Sequence, residues 1–151
     1  VKEEPKIVQK PGEYEIREAF IWGLPTFHAE KEGKEREKNT AFIMEIEDLR
    51  LCHLGDLGHP LTSEQSEAMR GVDILFIPVG GAPTLDASQA AQLTKRLQPR
   101  VVLPMHYGGK PEVVERFVQE MGSTAESRPK LSITRQNVAS CPPVILLDYP
   151  R

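Results

Sequence analysis

Apolar and polar positions divide the chain into two regimes. Ile7-Val8, Tyr14 to Ile16 and Ala19 to Leu24 are β-prone runs punctuated by Pro11-Gly12, which predicts short strands joined by turns. Thr40 to Ile46 and Leu49 to His53 flank Glu47-Asp48, the pattern of a hairpin. Between these runs lies Glu30 to Lys38, a dense stretch of charge around Gly33 that predicts a solvated loop.

Strands and helices alternate in the second half. Thr62 followed three residues later by Gln65 is a capping-box signature, and Val72 to Val79 then reads as a buried strand. Asp86 with Gln89 repeats the start signal for a helix reaching about Leu97, and Val101 to Leu103 is another apolar strand. Pro111 suits the first turn of a helix to about Met121, with Val114, Phe117, Val118 and Met121 on one face. Late strands are expected near Leu131 to Thr134 and at Val144 to Leu147. This order predicts a layered α/β domain, with residues 1–151 as a single unit.

Composition narrows the functional classes. A chain of 151 residues, 39% hydrophobic, can bury one core, and its formal net charge of -3 offers no broad basic surface for nucleic acid. No apolar run is long enough for a membrane span, and Cys52 and Cys141 lack any metal-type spacing. Two reduced thiols and no signal-like start lead us to expect a cytoplasmic chain. A serine or cysteine nucleophile has no motif to support it, so no residue is assigned a covalent catalytic role.

Candidate chemistry sits where strands end, the usual place for ligands in such folds. Gly23 to His28 ends a strand on a histidine; Leu51 to His59 ends one on Asp56 among glycines; Val101 to Gly109 ends one on His106 before paired glycines. Two imidazoles and a carboxylate are donors for a divalent metal, with zinc, iron and manganese all compatible. Taken singly, each has a plainer reading: a strand-end histidine is often a structural hydrogen-bonding residue, and Asp56 in Gly-Asp-x-Gly is often a turn former.

Together, Gly-Leu-Pro-Thr-Phe-His (23–28), His-Leu-Gly-Asp-Leu-Gly-His (53–59) and Pro-Met-His-Tyr (104–107) resemble the metallo-β-lactamase superfamily. More narrowly they resemble its metal-dependent hydrolase branch, which includes ascorbate-phosphate lactonase-like proteins. Pro11 to Glu15, Lys38-Asn39-Thr40 and Ile77 to Gly81 fit the same branch. The resemblance implies a partial αββα sandwich and metal ligands at His28, Asp56 and His106. It also implies a place for His59, Tyr107 and Thr84 around the ligands or substrate, and a divalent metal, zinc first. His53, inside its strand, is read as packed or hydrogen-bonded with its neighbours.

One departure is large. The family's His-x-His-x-Asp-His motif has no counterpart, since His28, His53, His59 and His106 are the only histidines and no two are spaced by two. The chain is therefore expected to be the C-terminal portion of the fold, lacking its first strands, whether as a fragment, a truncated gene or a piece completed by another chain. The expected function is hydrolysis of a small ester, lactone or phosphorylated substrate, absent or impaired in this chain alone. The alternative is a non-catalytic oligomerisation or binding module. Missing strands would leave an exposed sheet edge, through which a homo-oligomer is expected.

Overall fold

Strand alternation in the sequence becomes a two-faced mixed sheet. The computed structural model describes residues 3–30 and 35–148. Within them the elements are β1 (Gly12–Ile16), β2 (Ala19–Phe27), β3 (Lys38–Ile46), β4 (Leu49–His53), α1 (Ser63–Ala68), β5 (Ile74–Pro78), α2 (Ala87–Leu97), β6 (Val101–Met105), α3 (Pro111–Met121), β7 (Ala125–Arg128) and β8 (Val144–Leu147). The eight strands form one sheet in the order β1-β2-β3-β4-β5-β6-β8-β7. The expected α/β fold is what the chain adopts.

Two tight hairpins build the antiparallel part. Arg17 and Glu18 (φ 45° and 64°) turn β1 into β2, and Glu47 and Asp48 (φ 49° and 62°) turn β3 into β4. Two successive left-handed residues give a turn whose twist matches that of the strands it joins. From β4 onward the pairings are parallel, β4 to β5 to β6 to β8. Because β2 and β4 both run antiparallel to β3, strands β2, β4, β5 and β6 all point the same way. Their carboxyl ends therefore share one edge of the molecule.

Period-two alternation assigns the faces. Ala41, Ile43, Cys52, Leu54, Leu75, Ile77, Val102 and Val144 point to the helix-covered face, where they join Ala90, Ala91, Leu93 and Leu97 of α2 and Phe117 of α3. The helix starts follow the sequence: Thr62 and Asp86 each complete a capping box with Gln65 and Gln89. Helix α3 begins on Pro111, buries Val114 and Phe117, and stops at Gly122 (φ 65°). On the opposite face Leu49, Ile74, Val101, Leu103 and Ile145 pack with Leu131, Ile133 and Val138.

Two expectations need correction. Ile7-Val8 forms no strand; Ile7 is exposed and has no apolar surface to fold onto. Leu131 to Thr134 is irregular rather than extended, because its apolar side chains serve to cover the second sheet face. The strand in that region is instead Ala125–Arg128, a polar edge strand that pairs in parallel with β8 and carries no hydrophobic alternation to announce it. Arg135 anchors the covering segment by donating to Asp48 O and to the buried Asp73 carboxylate. Part of the charged run, residues 31–34, lies outside the described residues.

Phe117 is fully buried between α3 and the sheet. Phe117→Ala is expected to lower unfolding free energy by about 3–5 kcal/mol, read from the urea midpoint.

Candidate metal centre

Three strand ends and one interstrand loop converge at the shared carboxyl edge. His28 follows β2, Asp56 follows β4, residues 79–86 follow β5 and His106 follows β6. The Asp56 carboxylate links the two imidazoles: Oδ1 lies 2.8 Å from His106 Nε2, and Oδ2 lies 3.8 Å from His28 Nε2. On its other side His28 Nδ1 is 3.7 Å from Glu37 Oε2. All three residues singled out in the sequence are thus brought together.

Local structure explains how each is held. Gly55 takes φ 59° as expected of the turn before Asp56. The Asp56 N–H is then received by Asn39 Oδ1 at 3.1 Å, while Asn39 Nδ2 donates to Thr26 Oγ1 (2.8 Å) and Leu54 O (2.9 Å). In the sequence Asn39 stands out only through the resemblance, as the middle of Lys38-Asn39-Thr40. Its one independent signal is an amide residue inside a strand, where such residues are depleted.

His28 is fixed through backbone. Its N–H donates to Glu37 O (2.9 Å), the preceding Phe27 O accepts from Gly58 N (2.9 Å), and the following Ala29 N donates to Pro83 O (2.7 Å). Gly58 allows this approach, since a Cβ there would lie 1.9 Å from Ala29 N. His106 sits at φ 59°, a left-handed conformation that costs a non-glycine residue free energy and is concentrated at functional positions.

The surrounding residues divide by what their polar atoms touch. His59 has both ring nitrogens at backbone partners, Phe27 N and Pro60 O. Thr84 is buried and donates its hydroxyl to Gly81 O at 3.0 Å. Tyr107 packs against the main core. His53 matches its expectation: Nδ1 accepts from Gly55 N–H at 3.1 Å, and the ring stacks on Phe76 with centroids 5.4 Å apart. Burial, reinforced by the charge of His106 and opposed by Asp56, holds its pKa below 6.5. Cys52, on the core face, has its thiol pushed up to about 12 by burial, which leaves it inert as a nucleophile.

The donor types fit a divalent cation. Ligands about 2.0–2.2 Å from a common tetrahedral ion lie about 3.3 Å from one another, and the contacts of 2.8 and 3.8 Å straddle that spacing. As placed, the three do not form a ready-made cage: among the described residues no group of three or more His, Cys, Asp or Glu side chains is arranged to hold a metal ion.

The family comparison decides the larger assignment. The profile described as the beta-lactamase superfamily domain matches residues 1–106, more than half of the chain. The chain belongs to the metallo-β-lactamase superfamily. A metal-dependent hydrolase of Pyrococcus horikoshii is 32% identical over 120 residues, covering 76% of this chain and 53% of that protein. This superfamily member thus spans about half the length of the curated relative. A Thermotoga maritima protein assigned as a Zn-dependent hydrolase of the superfamily is similar in structure, with TM-score 0.75, 31% identity and coverage of 94% of this chain and 71% of that one. A metallo hydrolase of Ignicoccus hospitalis shares 26% identity at TM-score 0.57, over 76% of this chain and 52% of its own.

Because the folded pKa of His53 lies below 6.5, the unfolded chain takes up this proton first as pH falls. The resulting stability is fully present above about pH 6.5 and is lost as pH falls through the folded value. His53→Phe keeps the stack on Phe76 and removes the titration. Calorimetry between about pH 7.5 and pH 5 should show a smaller drop in Tm for the variant than for wild type; equal drops would contradict the assignment.

Proposed function

We propose that this chain forms part of a metal-dependent hydrolase of a small ester, lactone or phosphorylated substrate. The observation that carries this reading is the Asp56 carboxylate between His28 and His106, at the strand ends of a metallo-β-lactamase domain. In this reading residues 1–151 are a single domain corresponding to the C-terminal portion of the longer relatives.

His28, Asp56 and His106 would hold the cation, with zinc first and manganese or iron as alternatives. When bound, the cation supplies concentrated positive charge that polarises a carbonyl or phosphoryl group. The chain's own residues do the positioning. Glu37 faces the far nitrogen of His28, the place where an outer carboxylate orients a ligand. Tyr107 and Thr84 belong to the loops bordering the site, where they would shape the substrate pocket.

Three donors are fewer than a full coordination shell, so hydrolysis by this chain alone is proposed to be absent or impaired. The missing donors correspond to the His-x-His-x-Asp-His motif of the resemblance. The two free thiols, Cys52 and Cys141, support a reducing compartment such as the cytoplasm. No helix among the described residues is long and apolar enough to cross a membrane.

The test is metal content by plasma mass spectrometry after exhaustive dialysis. Near-stoichiometric zinc, iron or manganese that disappears in His106→Ala supports the metal site and leads to assays with lactones and phosphoesters. Metal-free wild-type protein overturns it.

A second reading, the non-catalytic binding module, is favoured by an apolar groove of about 410 Å³ lined by residues including Ile46, Leu51, Phe76, Leu103, Leu131 and Leu147. The outer strands β1 and β7 carry Glu13, Glu15, Glu126 and Arg128, a charged pattern that opposes edge pairing. Self-association would then use the groove more readily than the edge. Light scattering is expected to show mass rising with concentration, and Leu147→Glu to abolish the rise. Persistence of the rise in that variant would return the contact to the edge, and a monomer throughout would remove self-association altogether.

A further inference from the structure

His59 spends its entire ring on backbone. Nε2 is 3.1 Å from Phe27 N, and Nδ1 is 2.8 Å from Pro60 O. A backbone amide can only donate and a carbonyl can only accept, so Nε2 carries the lone pair and Nδ1 the proton. These two contacts hold the ring in one orientation and one tautomer. Neither nitrogen remains to coordinate a cation or contact a substrate in this arrangement.

Together with Gly58, His59 brackets the residue just before His28. Phe27 is gripped on both sides, since its N–H goes to His59 and its carbonyl accepts from Gly58 N at 2.9 Å. Phe27 and His59 rings also lie with centroids 6.2 Å apart. The residue gripped in this way is the immediate neighbour of His28, whose Nε2 faces Asp56 at 3.8 Å. Because Gly58 and His59 follow Asp56 by two and three residues, one short turn holds both sides of that contact.

We propose that His59 is a positioning residue that clamps Phe27 and thereby sets His28 against Asp56; its role in metal binding rests on the reading given under Proposed function. A displacement of Phe27 carries His28 with it, so loss of the clamp weakens metal binding although His59 touches no metal.

The test compares His59→Gln, whose side-chain carbonyl can still accept the Phe27 N–H, with His59→Leu, which fills space but cannot accept. Two quantities are read on the full chain: Phe27 amide hydrogen exchange by NMR, and zinc affinity by competition with a chromogenic chelator. His28→Ala serves as the control for the metal site. His59→Leu is expected to lose Phe27 amide protection and bind zinc about 10–100-fold more weakly, with His59→Gln restoring both. Unchanged zinc affinity in His59→Leu, with binding still abolished by His28→Ala, overturns the positioning role and leaves the metal site intact. A His59→Gln variant as defective as His59→Leu overturns the acceptor role of Nε2. Wild-type protein that binds no zinc overturns the metal reading and this role with it, while Phe27 exchange still reports separately whether the clamp exists.

Discussion

The site depends on one side-chain amide. Asn39, the second residue of β3, donates to Thr26 Oγ1 on β2 and to Leu54 O beyond β4, and accepts from Asp56 N–H. Each such bond is worth about 1 kcal/mol net, but losing the amide would leave partly buried partners unsatisfied at a larger cost. Its importance is geometric as well as energetic. The sheet alone sets the strands side by side; it does not decide which way the turn after β4 aims its carboxylate. Asn39 makes that decision by receiving the Asp56 N–H, and Asp56 then meets both imidazoles.

Much of the architecture was legible because it follows from local rules. The hairpin turns at Glu47-Asp48, the paired capping boxes at Thr62 and Asp86, and the Pro111 helix each carry their own signal, and each forms where expected. The failures share a cause. Ile7-Val8 and Leu131 to Thr134 are β-prone by composition, yet strand formation needs a partner backbone, which neither has. Ala125–Arg128 is polar and becomes a strand because β8 offers it one. Pairing is a non-local property, and composition reports it poorly at sheet edges.

The site shows the same division. That His28, Asp56 and His106 stand after strands could be read from the chain; that β2 runs parallel to β4 and β6, and so delivers all three to one edge, required the register of β3. The supporting residues were harder still. His59 is a histidine close to Asp56 and invited a role beside the ligands, but its hydrogen bonds run to Phe27 and Pro60. Asn39 had no chemistry of its own to mark it. Residues that hold other residues are recognised by their partners, and partners distant in sequence are invisible until the fold brings them together.

Magnitudes separate what His106 does for stability from what it does for the site. Its left-handed backbone costs about 1–2 kcal/mol relative to a relaxed conformation. Its contact with Asp56 joins two side chains that are 47% and 42% exposed, and exposed pairs of this kind return about 0–1 kcal/mol. The contact therefore falls short of offsetting the strain, and a glycine at this position would suit the backbone better. The left-handed turn nevertheless presents an imidazole nitrogen to the carboxylate that also faces His28. A conformation that lowers local stability while it brings His106 to Asp56 is what the metal-site reading proposed above requires of this turn.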